Sequence, residues 1–209
     1  MKLAEIIPIF KKEDRTNKEN YRGVSLLSEA SKIYEKILYE QINGYFDTLL
    51  SNIQCGFRKG HSSQHSLLVL IEKWRQSLDM NQSAGFLLTD LSKAFDCIRH
   101  DLLIAKCYAY GVDLKSVSYL YDYLSNRKQR VKINNDYSEW KDVKYGVPQG
   151  SILGPLFFNI FLCDLFLTME GFDLINYADD NTPFACAENL DNVVNILEKG
   201  ASSLFKWVS

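Results

Sequence analysis

Apolar positions between residues 28 and 80 recur at the spacing of two amphipathic helices. The first helix is predicted over residues 28–50, where isoleucine or phenylalanine returns every four or five positions and Ser28 can cap the first turn. The second is predicted over residues 62–80, with Trp74 on its apolar side and therefore expected in the core. Glycines bound the intervening segment 54–60, which is predicted to be a loop.

Short apolar or alternating runs predict strands. They occupy residues 6–10, 85–89, 129–133, 137–143, 172–177 and 182–187. The run at 85–89 ends in Asp90, which is typical of a buried strand with an acid at its tip. The last two runs flank Ala-Asp-Asp at 178–180, so we expect a hairpin with acids at its turn.

Three further segments have helical spacing, at residues 100–110, 114–124 and 190–207. A more apolar helix is predicted to begin at Ser151, or only at Pro155, because proline is tolerated in a first helical turn. Strands and helices are mixed along the chain, and acids follow strands. This order predicts an α+β fold.

Charge is distributed unevenly, although the net charge of 209 residues is only −2. Basic residues cluster near the start, at 58–61 and at 127–132, whereas residues 145–198 contain eight acids and neither lysine nor arginine. A small net charge still permits a basic stripe that binds nucleic acid. The pattern predicts basic walls around an acidic centre that needs cations.

The cysteines and the apolar stretches exclude two other classes of protein. The five cysteines are scattered, and none has zinc-site spacing, so we expect reduced thiols in an intracellular protein. The start of the chain lacks the order of a signal peptide. The most apolar stretch, at 152–167, is short and contains Asn159 and Asp164, so we expect no membrane partner.

Three sequence elements carry the candidate chemistry. They are Phe-Leu-Leu-Thr-Asp-Leu-Ser-Lys-Ala-Phe-Asp at 86–96, Gly-Val-Pro-Gln-Gly-Ser at 146–151 and Tyr-Ala-Asp-Asp at 177–180. An acid at a strand tip and another on a neighbouring hairpin can bridge two Mg²⁺ ions, which nucleotidyl transfer uses about 3.5–4 Å apart. Asp90 and Asp179 would be that pair and Asp180 an auxiliary acid. Singly, such residues are more often caps or solvated turn residues.

Taken together and in this order, the elements resemble the fingerprints of reverse transcriptases. Two more blocks, Pro-Ile-Phe-Lys-Lys at 8–12 with Asn-Tyr-Arg-Gly-Val-Ser-Leu-Leu at 20–27, and Gln-Cys-Gly-Phe-Arg-Lys-Gly-His-Ser-Ser at 54–63, resemble those of the LINE-type (non-LTR, jockey-like) retrotransposon enzymes. One departure is Gly23, where these enzymes usually have proline.

The resemblance implies roles for the residues around Asp90. Asp90 and Asp179 would be the metal-bridging carboxylates, Asp180 the third catalytic acid, and the backbone carbonyl of Leu91 a further ligand. The cofactor would be Mg²⁺, for which Mn²⁺ can substitute. Phe95 would be a gate whose ring clashes with a ribose 2′-hydroxyl and so selects deoxynucleotides; the alternative for Phe95 is core packing.

Other matched positions would contact the nucleotide or nucleic acid. Gln149 would touch the nucleotide near the new base pair, and glycines beside it let the backbone approach closely. Basic residues would hold phosphates, although solvated surface charges are the ordinary alternative. The expected nucleotide-binding residues are Lys11, Lys12, Arg22, Phe95 and Gln149, and the expected nucleic-acid-binding residues are Arg58, Lys59 and Gly150.

The fold implied by the resemblance is a right-hand polymerase of fingers and palm, with an antiparallel palm sheet backed by helices and without a thumb. Residues 1–84 would be mainly fingers and 85–209 mainly palm, with fingers elements among them. The reaction would be RNA-templated addition of deoxynucleoside triphosphates to a DNA primer. The protein would be intracellular, and nuclear at integration if its parent element behaves like the family.

Two alternatives remain open from the sequence. The chain resembles a core cut at both ends, so it could be a catalytically silent retroelement remnant that at most binds nucleic acid; the intact Asp90, Asp179 and Asp180 argue against decay by substitution. It could also be another palm polymerase, such as a viral RNA-dependent enzyme. The phenylalanine at position 95 argues against that alternative, because an enzyme that uses ribonucleotides must admit the ribose.

Overall fold

The computed structural model describes residues 2–91, 93–168 and 172–208. The strands in these residues are β1 (Leu3–Phe10), β2 (Tyr21–Leu26), β3 (Ser83–Phe86), β4 (Thr89–Asp90), β5 (Arg127–Ile133), β6 (Asp136–Tyr137), β7 (Lys141–Val143), β8 (Asp173–Tyr177) and β9 (Asp180–Ala187). The α-helices are α1 (Glu29–Asp47), α2 (Ser63–Asp79), α3 (His100–Ala109), α4 (Leu114–Leu124), α5 (Leu153–Leu162), α6 (Leu165–Thr168) and α7 (Leu190–Val208). None of the helices in the described residues is both long enough and apolar enough to cross a membrane.

The chain divides into two compact units, each made of two separate stretches. Unit 1 comprises Met1–Tyr45 and Lys93–Phe161, and unit 2 comprises Phe46–Ser92 and Leu162–Ser209. The expected division into mainly fingers at 1–84 and mainly palm at 85–209 stays a prediction, because compactness alone does not identify either unit as fingers or palm.

Unit 1 contains a mixed sheet in the order β2-β1-β5-β6, with β7 also paired to β5. Strands β1 and β5 run parallel, and the other pairs are antiparallel. Gly23 lies opposite Pro8 in the β1–β2 ladder, and a Cβ there would come within 2.8 Å of the Ile6 side chain. The glycine at this position therefore makes room for Ile6.

The core of unit 1 is centred on α5. Its apolar side chains are almost all buried, including Leu153, Phe157 and Ile160. The helix begins at Leu153, between the two starts that the sequence left open, and the Ser151 hydroxyl accepts a hydrogen bond from the Gly154 amide at 2.9 Å. This bond satisfies one of the amides that a first helical turn leaves without a partner.

Unit 2 contains an antiparallel sheet in which β9 pairs with three strands. Strands β4 and β3 pair with the same edge of β9, β4 at its start and β3 at its end. Strand β8 pairs with the opposite edge. Helix α7 packs on β3 and β9, and α2 packs on β8. A Cβ at Gly85 would come within 2.8 Å of Val193, so the glycine permits close approach of α7.

Most predicted elements are confirmed, but several details are wrong. The runs at 85–89 and 137–143 each form two strands instead of one, with breaks at 87–88 and 138–140. Trp74 is 50% exposed, because α2 buries Ser66 and Ser77. The short helix α6 and a 3-10 turn at Lys18–Asn20 were not predicted.

Substitution of Gly56 tests the packing of unit 2, and substitution of Gly44, in unit 1, is the control. A Cβ at Gly56 would lie 2.2 Å from the backbone nitrogen of Ala178, so Gly56→Ala should lower the free energy of unfolding by at least about 2 kcal/mol. Gly44 lies within α1 with nothing within 4 Å of a built Cβ, so Gly44→Ala should raise it by about 0.5–1 kcal/mol. Urea denaturation measures both; equal effects would contradict the close contact at Gly56.

Candidate active site

Strand β9 brings acids from two parts of unit 2 together. Asp90, at the end of β4, is the direct cross-strand partner of Asp180. Asp180 also pairs with Tyr177 across the β8–β9 hairpin, so Ala178 and Asp179 form its two-residue turn. Directly opposed residues in an antiparallel pair have Cβ atoms about 4.5–5.5 Å apart. Asp90, Asp179 and Asp180 therefore occupy one end of this sheet.

The three carboxyl groups interact electrostatically. Partial burial raises the pKa of Asp180, and the negative charges of Asp179 and Asp90 raise it further. The same charges that make Asp180 harder to ionise would attract a cation. The repulsion is a cost of placing these residues together.

Buried asparagines support the backbone of the acidic turn. The Asn176 side chain donates hydrogen bonds to the carbonyl of Ala178 at 2.7 Å and to the side-chain oxygen of Asn181 at 3.1 Å. The Asn181 amide in turn donates to the carbonyl of Asp179 at 3.1 Å. Ala178 has a φ of 56°, a conformation that costs energy for a residue other than glycine, so these bonds hold a strained turn in place.

The donor chemistry of this cluster fits a hard divalent cation. Within the described residues, no set of three or more His, Cys, Asp or Glu side chains is arranged to hold a metal ion. Mg²⁺, however, usually takes only one or two carboxylates and fills its remaining positions with water and substrate phosphates. Asp90 and Asp179 are two carboxylates of this kind, and Leu91, with its backbone carbonyl, directly follows Asp90.

In unit 1, the loop at 146–151 is fixed by backbone contacts at its start. The amide of Gly146 donates to the carbonyl of Ile98 at 2.7 Å, and the amide of Val147 donates to that of Phe95 at 2.9 Å. Gly146 has a φ of 80°, and a Cβ there would come within 2.7 Å of the Asp96 carbonyl. Only glycine satisfies both conditions without strain.

The middle of the same loop is held against β2. The amide of Ser25 donates to the carbonyl of Gln149 at 2.8 Å. Gly150 has a φ of 110°, and a Cβ there would lie 3.1 Å from the Ser25 carbonyl. Both this conformation and the close approach of β2 therefore favour glycine at position 150.

The side chain of Gln149 is oriented by Asp96. Its amide nitrogen donates to the Asp96 carboxylate at 2.9 Å, and both residues line a cavity of about 240 Å³ in unit 1, together with Tyr145 and Pro148. Sequence reasoning assigned no role to Asp96. Its place directly after Phe95, within the first chemical element, is the signal that could have drawn attention to it.

Phe95 is half-buried and stacks on a core residue. Its ring lies 4.6 Å from that of Phe158, centroid to centroid, with an interplanar angle of 22°. Phe158 is itself buried in α5. One face of Phe95 therefore belongs to the core of unit 1, and the partial exposure leaves the ring accessible to a ligand.

The predicted triphosphate contacts lie together at one end of the β1–β2 hairpin. Lys11 follows β1 and its backbone amide donates to the carbonyl of Asn20 at 2.8 Å, and Arg22 pairs with Ile9 in the ladder. Lys11, Lys12 and Arg22 are all exposed. The ammonium of Lys12 is 3.7 Å from the Glu13 carboxylate, a weak contact between exposed groups.

Arg58 has an interior position that was not expected. Its side chain is only 6% exposed, and it donates to the Asp47 carboxylate at 2.8 Å and to the carbonyls of Ser51 and Gln54 at 2.7 and 3.1 Å. Because the guanidinium is occupied in this way, the structure favours an anchoring role over the predicted template contact. The neighbouring Lys59 is exposed.

The comparisons with known proteins agree with this arrangement of motifs. The sequence profile described as "Reverse transcriptase (RNA-dependent DNA polymerase)" matches residues 9–208. The chain is 36% identical over 173 residues to the probable RNA-directed DNA polymerase from transposon BS of Drosophila melanogaster. The alignment covers 78% of this chain and 18% of that protein. The chain is 25% identical over 217 residues to the RNA-directed DNA polymerase from mobile element jockey of the same organism, covering 99% and 24%.

The fold is shared with a more distant group. The structure of apo telomerase from Candida tropicalis, truncated from its C-terminal domain, aligns with a TM-score of 0.66 over 100% of this chain and 48% of that one, at 16% identity. At this identity the likeness concerns the fold alone. The chain spans about a fifth of the length of the two transposon relatives. The profile match and these relatives show that the chain belongs to the reverse transcriptase family, with the enzymes of LINE-type (non-LTR) retrotransposons.

Proposed function

We propose that this chain forms the polymerising part of an RNA-directed DNA polymerase, which adds deoxynucleotides to the 3′-end of a DNA primer on an RNA template. The observation that carries the proposal is the cross-strand pairing of Asp90 with Asp180 beside Asp179. Two acids about 90 positions apart in sequence meet only because β9 joins their strands. In a reverse transcriptase family member, this is the expected place for polymerase chemistry.

The family generally uses divalent metal ions. In this chain Asp90 and Asp179 would hold Mg²⁺ or Mn²⁺, with the carbonyl of Leu91 as a further ligand. Once bound, the ions supply activation of the primer hydroxyl and neutralise charge on the leaving pyrophosphate. Asp180 would act beside them as the auxiliary acid. Burial first, and then the negative charges of Asp179 and Asp90, raise its pKa, and cations would relieve the second of these effects.

The residues of unit 1 would select and orient the incoming nucleotide. Phe95 would reject a ribose 2′-hydroxyl, with its ring held by the stack on Phe158. Gln149, oriented by Asp96, would contact the nucleotide. Lys11, Lys12 and Arg22 would hold the triphosphate.

The proposed partners are an RNA template, a DNA primer and deoxynucleoside triphosphates. One structural relative is a telomerase from Candida tropicalis in complex with a fragment of telomeric RNA, which supports RNA as a ligand of this fold. Lys59 is exposed and Gly150 presents backbone in a loop, so these two remain the proposed nucleic-acid contacts. Integration would place the protein in the nucleus.

Removing one carboxylate tests the metal assignment. Asp179→Asn should abolish primer extension on an RNA template, because the amide keeps the shape of the side chain but loses the charge that binds the metal. Mg²⁺ should raise the Tm of the unaltered chain and leave that of Asp179→Asn unchanged. Glu188→Gln, which removes one exposed charge from the same unit, is the matched control and should behave like the unaltered chain.

Two results would contradict this assignment. One is extension by Asp179→Asn at the rate of the control. The other is a Mg²⁺-dependent rise in Tm that survives in the variant. Absence of extension in the unaltered chain under all salt conditions, without a Mg²⁺ effect on Tm, would instead favour a silent remnant that at most binds nucleic acid.

Removing the ring of Phe95 tests sugar selection. Phe95→Val should raise the ratio of ribonucleotide to deoxynucleotide incorporation by about tenfold or more, since the clash with the 2′-hydroxyl is removed. Single-nucleotide addition with each substrate measures the ratio. Phe205→Val, which alters an exposed phenylalanine of α7, is the control and should leave it unchanged. If Phe95→Val lowers Tm and leaves the ratio unchanged, Phe95 serves only to pack against Phe158.

A further inference from the structure

A carboxylate without a role in the proposed chemistry lies at the centre of unit 1. Glu35, in α1, is 0% exposed. Neighbouring isoleucines of the helix, Ile33 and Ile37, are 63% and 51% exposed, so α1 turns this acid inward and leaves apolar side chains outside. An acid is rarely buried completely unless it is paired or hydrogen-bonded, and its contacts therefore require an explanation.

Each oxygen of Glu35 accepts a hydrogen bond from a different element. The Tyr123 hydroxyl, in α4, donates to one oxygen at 2.8 Å. The backbone amide of Ile152, which lies between the 146–151 loop and α5, donates to the other at 2.7 Å. The carboxylate therefore joins three segments of unit 1 and uses both oxygens to do so.

The hydroxyl of Tyr123 stays protonated and can therefore donate its hydrogen bond. Burial raises its pKa, and the negative charge of Glu35 raises it further. The Arg127 guanidinium lies 4.9 Å from the centre of the tyrosine ring and donates to the Tyr123 carbonyl at 3.1 Å. Arg127 is buried as well, so a positive charge lies beside the tyrosine that binds the buried acid. Opposite charges in one interior cluster offset part of the cost of burying each of them.

The bond from Ile152 lies three residues after Gln149. Between them, the amide of Ser151 donates to the carbonyl of Pro148 at 3.0 Å, and the Ser151 hydroxyl caps α5. The Gln149 carbonyl accepts a hydrogen bond from the Ser25 amide of β2. Glu35 consequently fixes the end of the loop from the interior, whereas Asp96 orients the Gln149 side chain.

We propose that Glu35 is a positioning residue that fixes the 146–151 loop and thereby sets the orientation in which Gln149 meets the nucleotide. The role of Glu35 in the loop rests on its hydrogen bonds alone, and the link to the nucleotide rests on the function proposed above. A glutamine at position 35 offers one uncharged acceptor oxygen instead of two carboxylate oxygens. If that oxygen faces Ile152, the bond loses its charge assistance and the Tyr123 hydroxyl must turn to accept; if it faces Tyr123, the Ile152 amide meets a donor.

Amide hydrogen exchange of the full 209-residue chain tests the loop. In Glu35→Gln, exchange at Ile152 should become about tenfold faster or more, while amides of the β1–β2 ladder, such as those of Ile7 and Val24, keep their rates. Tyr123→Phe removes one bond and keeps the ring, so it should produce a smaller change at the same place. Glu40→Gln, on the exposed side of α1, is the control and should change neither.

Nucleotide binding tests the second half of the proposal. Titration with 2′-deoxyadenosine triphosphate and Mg²⁺ should shift the NMR signal of the Gln149 side-chain amide. In Glu35→Gln the apparent Kd should rise about threefold or more, and the response of the Asp179 amide to Mg²⁺ alone should stay the same. A role in general stability alone would instead weaken every readout together.

The outcomes separate this proposal from the proposed function. Unchanged exchange at Ile152 in both Glu35→Gln and Tyr123→Phe, or equally faster exchange throughout unit 1, overturns the positioning role. Local loosening of the loop with an unchanged Kd overturns its link to the nucleotide. Failure of the unaltered chain to bind the nucleotide counts against the proposed function, and exchange at Ile152 still decides the role of Glu35 in the loop. If Glu35→Gln does not fold, Tyr123→Phe decides it.

Discussion

The interaction on which the candidate site depends is the pairing of β9 with β4. Without the opposition of Asp180 and Asp90, the acids of two distant sequence elements would have no reason to meet. The pairing assembles like charges, which is unfavourable. Burial raises the pKa of Asp180, and the charges of Asp179 and Asp90 raise it further. Strand pairing on both edges of β9 offsets this repulsion. Under the proposed function, a bound cation would stabilise these three side chains and so would couple stability to function.

Both chemical elements are supported by buried polar groups. In unit 2, Asn176 and Asn181 donate hydrogen bonds to carbonyls of the acidic turn. In unit 1, Glu35 accepts one from the Ile152 amide at the end of the 146–151 loop. Irregular backbone cannot satisfy itself by regular hydrogen bonding, so buried side chains must supply partners. These interior contacts restrict both chemical elements, and a functional site requires such restriction of the groups around it.

The sequence predicted the elements better than their surroundings. Hydrophobic spacing located the described α-helices other than α6 and the β8–β9 hairpin, because periodicity shows which positions share a face. It does not show which face is buried. Ile33, Ile37 and Trp74 lie at apolar helical positions and are nevertheless at least half exposed. Interior hydrogen bonding was likewise invisible, since nothing local to Arg58 indicates that Asp47 and two carbonyls occupy its guanidinium.

The members of the candidate site were predicted from motifs, and the structure adds their strand register. Asp90, Asp179 and Asp180 were identified from three ordered motifs, and the cross-strand register supplies the neighbourhood that motif order alone cannot give. Sequence patterns did not single out Asp96 or Glu35, because their hydrogen bonds join segments of unit 1 that are far apart in sequence. The assigned roles stay predictions until a ligand is observed.

Paramagnetic broadening by Mn²⁺ in NMR spectra of the chain tests the central claim most directly. Mn²⁺ broadens signals according to their distance from the ion, so it locates a site without requiring catalysis. The account predicts that substoichiometric Mn²⁺ broadens the backbone amides of Asp90, Leu91, Asp179 and Asp180 first, and that excess Mg²⁺ reverses the effect. Broadening centred on any other acids, or spread evenly over the surface, would contradict it.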